Sequence, residues 1–189
     1  ENAIGRLILA LKELPFEGEL AGLIAFLADK LGMDSTGKAA GIHLWDELSG
    51  DLSFNWGVMT ADESSMELVI NYRYPVTFEF ADCGPALQTL IERMGFTVRQ
   101  VHKEKLYIPA DSDLVKILLK VYKEHTGIDG KPVCIGGGTY AKCLPNILAF
   151  GPIFPGDEVR EHKPDEFMEI PKLMKNAQII AAAMYEMAK

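Results

Sequence analysis

Two stretches of alternating sequence, DLSFNWGVM at residues 51–59 and SMELVINYRY at residues 65–74, decide the fold of the first half of this chain. In each stretch, apolar side chains recur at every second position, the period that places them on one face of a β-strand. The polar residues from Thr60 to Ser65 suit a turn, so we predict an antiparallel hairpin. Its apolar face is predicted to carry Leu52, Phe54, Trp56, Val58, Met66, Leu68, Ile70 and Tyr72.

The segments around the hairpin predict helices on one face of an antiparallel sheet. Helical spacing of apolar residues marks two segments before the hairpin and a third over residues 79–94, while residues 34–50 have no clear period. Residues 96–109, FTVRQVHKEKLYIP, predict one or two further strands. With one more strand before Glu1, this order matches a ferredoxin-like sandwich, and we predict a partial domain of this kind over residues 1–105.

A different pattern follows, in which helices alternate with short apolar runs. Asp111 is predicted to cap a helix that Gly127 ends. The runs PVCI at residues 132–135 and NILAF at residues 146–150 are typical of fully buried strands. We therefore predict that residues 106–189 form part of an α/β domain, and that the whole chain is of the α/β or α+β class.

Both ends of the chain predict helices. No capping residue stands convincingly before the first helix, which we take as a hint that the chain is a piece of a longer protein. The last helix is predicted to begin near Pro171, which suits a first helical turn, and to pack one apolar stripe on a sheet. This stripe comprises Leu173, Ala177, Ile180, Met184 and Met187.

Composition limits the classes of partner. The 189 residues carry a formal charge of −8, which argues against a surface for nucleic acid or anionic membranes, because both attract clustered Lys and Arg. An odd count of three cysteines without a CxxC pair predicts a reducing compartment, and we expect the cytoplasm. No apolar run approaches the roughly 18 residues of a membrane helix. Small molecules or other proteins are the expected partners.

The segment PVCIGGGTYAKCLPNILAFG, residues 132–151, carries the densest signal for a ligand site. Glycines leave their N–H groups uncovered, so Gly137 and Gly138 can surround an anion or a carbonyl oxygen, and the hydroxyl of Thr139 can add a donor. The segment matches neither GxxxxGK[ST] nor GxGxxG. A tight turn or bulge that requires positive φ explains the same glycines.

A histidine and an arginine are the other two candidates. His162 in EHKPDE is closely followed by Asp165 and Glu166, and an imidazole near a carboxylate is a common arrangement at zinc sites. No HxH or HExxH accompanies it, so a solvated loop histidine remains the alternative. The guanidinium of Arg73 matches a carboxylate through two parallel hydrogen bonds, and an ordinary exposed strand arginine is the alternative.

Taken in order, GGGTYA, PNILAFGPIFPG and HKPDE resemble the C-terminal signature of the co-catalytic zinc exopeptidases, which include carnosinases, bacterial dipeptidases, carboxypeptidase G and several deacylases. The Tyr after GGT and the FGP and FPG runs look most like bacterial dipeptidases that act on β-Ala-His and other unsubstituted dipeptides. Upstream, NAIGRLILAL is similar to a helix of the family's lid domain, and NYRYP resembles a lid strand that ends in a substrate-binding arginine. The resemblance covers essentially the whole chain.

This resemblance implies a role for each candidate. Residues 1–105 would be part of a lid domain, through which these enzymes commonly dimerise, and residues 106–189 the C-terminal part of the catalytic domain. His162 would be a ligand to one of two zinc ions. Arg73 would bind the substrate carboxylate or reach toward the active site from the lid. The pocket for the substrate backbone would be lined by Gly137, Gly138 and Thr139.

The family's H-x-D motif, bridging aspartate and Glu-Glu pair have no counterpart in the chain. The resemblance therefore implies the C-terminal portion of a dipeptidase in which two zinc ions activate a water, with this portion inactive alone. Lys142 stands where relatives commonly have arginine and receives no role. Three alternatives remain: a deacylase, a non-catalytic dimerisation module, and a thiol hydrolase using Cys134 or Cys143, whose apolar neighbours predict burial instead.

Overall fold

The computed structural model describes residues 2–137 and 139–189, which form two compact units. Unit 1 comprises Glu1–Glu104 and Cys134–Gly136, and unit 2 comprises Lys105–Val133 and Gly137–Lys189. Each unit has a hydrophobic core of its own.

Unit 1 contains three helices and two small antiparallel sheets. The expectation that its first helix lacks a cap is wrong, because the Asn2 side chain accepts a hydrogen bond from the backbone N–H of Gly5 at 3.0 Å. A short 3₁₀ turn at Phe80–Asp82 precedes the third helix. In chain order the elements are α1 (Ala3–Lys12), α2 (Gly18–Lys30), β1 (Trp45–Asp46), β2 (Gly50–Asp51), β3 (Ser53–Ala61), β4 (Met66–Arg73) and α3 (Gly84–Glu92).

The predicted hairpin is confirmed as β3 paired with β4 in antiparallel register. One position on its predicted apolar face is wrong. A register shift between Trp56 and Val58 moves the alternation by one residue, so Val58 is 51% exposed and Met59 packs against the core in its place. Gly57 lies at this bulge, where an added Cβ would meet the Asn71 amide nitrogen at 2.8 Å.

The inward face of the hairpin and the helices form the core of unit 1. Phe54 and Trp56 of β3 are 3% and 2% exposed and pack with buried residues from all three helices. Burial of each large apolar side chain stabilises a fold by about 1.5–3 kcal/mol. The helical members of this core are Ile8, Leu27, Leu87 and Ile91.

A buried carboxylate fixes the loop that precedes the hairpin, which contains the two-residue ladder β1–β2. Asp46 is 7% exposed and accepts hydrogen bonds from the backbone N–H and the hydroxyl of both Ser49 and Thr77. Burial alone raises the pKa of Asp46, but these four bonds outweigh it and hold the pKa far below its ordinary value of 3.8. Asp46 thus joins this loop to the segment after β4.

Residues 96–109, predicted as strand, form none. In their first part the side chains alternate between the core and solvent, with Phe96 and Val98 packed against the core. The described residues give it no ladder partner; its tie to α3 is a hydrogen bond from the Gln100 side chain to the Gly84 carbonyl at 2.9 Å. Alternation of burial is typical of an extended backbone but does not by itself provide a ladder partner.

Unit 2 is built around two helices, α4 (Asp113–Thr126) and α5 (Ile170–Met187). Ser112, not the predicted Asp111, caps α4, because its side chain accepts from the backbone N–H of Val115. Gly127 ends α4 in the left-handed conformation, and Pro171 lies in the first turn of α5, both as predicted. The core between the helices consists of Leu118, Val121, Ile179 and Ala183.

The two runs predicted as buried strands, residues 132–135 and 146–150, are not strands in the structure. Val133 is 82% exposed and Ile135 is 66% exposed. Strands of the fully buried type need a neighbouring strand on each side, and the described residues supply none.

The face that α5 packs on also differs from the prediction. Ile179 and Ala183 contact the α4 core, whereas the predicted stripe faces solvent. Ile180 and Met184, for example, are 47% and 64% exposed. The predicted stripe is apolar, but in the structure α5 packs through a different side of the helix.

Helices combined with small antiparallel sheets agree with the predicted mixed α and β class. The ferredoxin-like sheet is absent from the described residues, where each sheet has two strands. Assignment of residues 1–105 to a lid and of residues 106–189 to a catalytic domain stays a prediction. None of the described helices has the length and apolarity needed to cross a bilayer.

Two helical glycines provide a test of helix packing. Alanine at either Gly5 or Gly22 gains about 0.5–1 kcal/mol of intrinsic helix stability. An added Cβ at Gly5 would collide with the Gly32 carbonyl oxygen, whereas nothing lies within 4 Å of one at Gly22. We therefore expect Gly5→Ala to lower the free energy of unfolding by at least about 1 kcal/mol and Gly22→Ala to raise it, in urea titrations. Two changes of the same sign would contradict this packing.

The buried carboxylate provides a second test. Asp46→Asn replaces an acceptor oxygen with a donor that faces other donors, so we expect the free energy of unfolding at pH 7 to fall by about 1–3 kcal/mol. Asp62→Asn is the matched control. Asp62 accepts the same kinds of bond from Ser64 and Ser65 but is exposed, and its substitution should change stability much less.

The Asp46 effect should also depend on pH. The folded pKa is lowered, so the stabilisation is complete above the unfolded pKa, near 3.8, and is lost as pH falls toward the folded value. The difference between wild type and Asp46→Asn should be constant between about pH 5 and 7 and should shrink below pH 3.8. A difference that grows in acid would contradict this assignment.

Candidate functional site

Arg73 is the last residue of β4 and lies on the exposed face of the hairpin. It pairs with Ser53, the first residue of β3. Its neighbour Tyr72 faces the core, where burial first, then the nearby Cys83 and Tyr74, raise the pKa of its phenol to about 12. Tyr72 therefore stays protonated near neutral pH, and the outward charge at this strand end is that of Arg73.

The beginning of the glycine run lies beside Arg73. The segment Cys134–Gly136 belongs to unit 1, and a Cβ added to Gly136 would lie 3.6 Å from Nη1 of Arg73. That separation is an ordinary van der Waals contact, so a Cβ at position 136 would not clash with Arg73. Gly136 is a candidate that the sequence reasoning did not single out, although it begins the run GGG at residues 136–138.

The remaining residues of the predicted glycine–threonine site belong to unit 2. Gly137 is exposed, and Gly138 lies outside the described residues. Thr139 is exposed, and its hydroxyl accepts a hydrogen bond from the backbone N–H of Ala141 at 3.2 Å, which caps a short 3₁₀ turn, Tyr140–Cys143. A hydroxyl can accept and donate together, so Thr139 retains a proton for a further partner.

His162 lies on an exposed loop in an unusual backbone conformation. Its φ is +61°, and that of Asp165 is +58°, in the left-handed region that is uncommon outside glycine and in which Asn, Asp and His are the most frequent other residues. The backbone N–H of His162 donates to Oε2 of Glu166 at 3.3 Å. Such conformations cost free energy and persist only where the surrounding structure holds them. They are frequent at functional sites.

Helix α5 anchors the chain that leads to His162. Lys172 donates to Asp157 at 2.8 Å, and the side chain of Asn176 donates to the Pro152 carbonyl at 2.7 Å. The bond from Lys172 lowers the pKa of Asp157 despite some desolvation, and the same bond raises the pKa of Lys172. These two contacts make Lys172 and Asn176 positioning residues for the segment before His162.

Within the described residues, no group of three or more His, Cys, Asp and Glu side chains could hold a metal ion. A catalytic zinc commonly takes three protein ligands, so the described donors do not by themselves fit the zinc site that the sequence resemblance implies. The imidazole of His162 can serve as one zinc ligand, and the other ligands would have to come from residues outside the described ones.

Two further histidines, His43 and His102, have structural partners. His43 Nε2 lies 2.6 Å from a carboxylate oxygen of Asp51. His102 Nε2 lies 2.8 Å from the hydroxyl of Tyr74, and its ring packs against Phe80. These contacts account for both histidines within unit 1.

The thiols differ from expectation in one respect. Cys83 is fully buried, and burial raises the pKa of its thiol, which makes it an inert core residue. Cys134 and Cys143 are exposed, so the prediction that apolar neighbours bury them is wrong. Neither has a described histidine close enough to form a hydrogen bond that would activate it as a nucleophile.

Comparison with known proteins gives a consistent group of names. The chain is 38% identical over 168 residues to a Bacillus subtilis protein named "Putative dipeptidase YtjP", an alignment that covers 88% of this chain and 36% of that protein. It is 30% identical over 193 aligned positions to the Beta-Ala-Xaa dipeptidase of Lactobacillus delbrueckii subsp. lactis, covering 100% of this chain and 40% of that enzyme. No protein-family model matches the chain. The chain thus spans well under half the length of these two relatives, both of which are named as dipeptidases.

Proposed function

We propose that the complete protein is a zinc-dependent dipeptidase acting on unsubstituted dipeptides, and that this chain supplies substrate recognition and one zinc ligand. The observation that carries the proposal is the 38% identity over 168 residues to a protein named as a dipeptidase. The order of the glycine run, the FGP–FPG segment and the HKPDE motif along the chain supports it. We expect the protein in the cytoplasm.

In this proposal, Arg73 binds the C-terminal carboxylate of the dipeptide. Three features support that role: an exposed guanidinium at a strand end, a rigid paired strand behind it, and glycine backbone beside it at Gly136. A planar guanidinium can donate two parallel hydrogen bonds to a carboxylate. Gly137, Gly138 and Thr139 follow directly in sequence and would contribute backbone N–H groups and a hydroxyl to the substrate.

His162 is the proposed zinc ligand. Its exposed imidazole, its left-handed backbone and the anchoring of the preceding segment to α5 support a side chain that is held in one direction. Two zinc ions, when bound, would supply an activated water for hydrolysis. The other ligands and the general base would belong to the part of the complete protein outside these residues.

One observation favours a second role for unit 1. The β3–β4 sheet has two strands, so within the described residues both of its outer edges lack a strand partner. Such an edge can pair with a second copy, and we propose a homodimer through this sheet as an additional property of the complete protein. A deacylase that acts on N-acylated amino acids is the alternative activity, and it would retain the same two residue roles.

The test uses the complete protein with His162→Asn. Asparagine tolerates the left-handed conformation, so the loop should keep its shape while the imidazole is lost. We expect zinc content to fall and kcat for an unsubstituted dipeptide to drop by at least about 100-fold. Elemental analysis and a hydrolysis assay measure the two effects.

The matched control is His125→Asn, a histidine in the last turn of α4, which should retain both zinc and activity. Normal zinc content and activity in His162→Asn would refute the ligand role. Hydrolysis of N-acyl amino acids but not of dipeptides by the wild type would favour the deacylase.

A further inference from the structure

Helix α5 has all its charged residues toward the side that packs and only uncharged, mostly apolar residues on the side that faces solvent. The charged residues Lys172, Lys175 and Glu186 are all half-buried. Two of them are paired within unit 2, Lys172 with Asp157 and Glu186 with Lys120. Every exposed residue between Ile170 and Met187 is uncharged.

The exposed side contains a continuous apolar row. Leu173, Ala177, Ile180, Met184 and Met187 follow at intervals of four, three, four and three residues, which places them on one face of the helix. Leu173 is 53% exposed and Met187 is 45% exposed. We call these five residues the α5 stripe.

A surface helix of a soluble protein normally presents charged side chains to water and apolar ones to the core. In α5 the core side, formed by Ile179 and Ala183, is apolar too. A helix whose packed side and exposed side are both apolar is typical of a buried helix. The α5 stripe therefore has the composition of a buried surface.

The same unit contains an apolar segment that lacks a partner. Residues 146–150, NILAF, have the composition of a buried strand but form no ladder with any described residue. Leu148 and Phe150 pack at the border of the α4–α5 core, and Leu144 just before them is 61% exposed. Unit 2 therefore has both an exposed apolar helix face and a strand-type segment without a ladder partner among the described residues.

We propose that the α5 stripe packs against the part of the complete protein that lies outside these 189 residues. This inference rests on the proposed function in one respect, which is that a longer protein exists. Its support is the length of the relatives, of which this chain covers 36% and 40%, so that more than half of each relative has no counterpart here. We propose that this remaining part of the protein covers the α5 stripe.

The test measures the solvent access of one stripe position by thiol labelling. Met184→Cys is a conservative change at the centre of the exposed row, and Gln178→Cys is the matched control on an exposed part of α5 outside the stripe. Both variants are made in the complete protein and in the 189-residue chain. Mass spectrometry of peptides separates the introduced thiols from Cys83, Cys134 and Cys143.

In the complete protein we expect the thiol at position 184 to react at least about 100-fold more slowly than the thiol at position 178, because reaction requires local opening. In the 189-residue chain the two should react at similar rates. Equal rates in the complete protein would overturn the proposal. Protection at position 184 in the 189-residue chain that disappears on dilution would also overturn it and would identify a second copy as the occupant.

Thiol labelling requires neither zinc nor substrate, so it separates this inference from the proposed activity. A complete protein that hydrolyses no dipeptide but protects position 184 would remove the proposed function and retain the docking surface. A complete protein that hydrolyses dipeptides but leaves the thiol at position 184 as reactive as the one at position 178 would support the proposed function and refute the docking surface.

Discussion

Packing of one hairpin face against three helices is the interaction on which unit 1 depends. Phe54 and Trp56 direct their side chains into the same core as residues of α1, α2 and α3, which fixes the orientation of β3 and β4. Because side chains alternate along a strand, burial of this face directs the other outward. Arg73 is exposed at the end of β4 for that reason, and a one-residue slip of β4 would turn it inward.

The sequence predicted those parts of the fold that depend on local periodicity. The hairpin and the left-handed glycine after α4 follow from local patterns. The sequence could not predict the features that depend on which segments pair or pack with each other. The bulge that exposes Val58 arises from how the two strands pair, and residues 146–150 lack strands with which to pair.

The same division applies to the candidate site. Residue chemistry and order along the chain identified Arg73 and His162, and the structure adds that both are exposed and that each lies on an anchored element. The proximity of Gly136 to Arg73 could not be predicted, because it joins residues more than sixty positions apart in sequence. A metal centre cannot be derived from the described residues, since its ligands would have to converge from several segments.

The central claim is that the chain recognises the C-terminal carboxylate of a dipeptide through Arg73. The most direct measurement compares kcat/KM of the complete protein for a dipeptide and for its C-terminal amide, in wild type and in Arg73→Ala. Loss of the charge-assisted bonds should lower kcat/KM for the dipeptide by about 10- to 100-fold and leave that for the amide unchanged. Arg93→Ala, which removes an exposed arginine at the end of α3, should affect neither substrate. Equal losses for the dipeptide and the amide in Arg73→Ala, or no loss for either, would contradict the account.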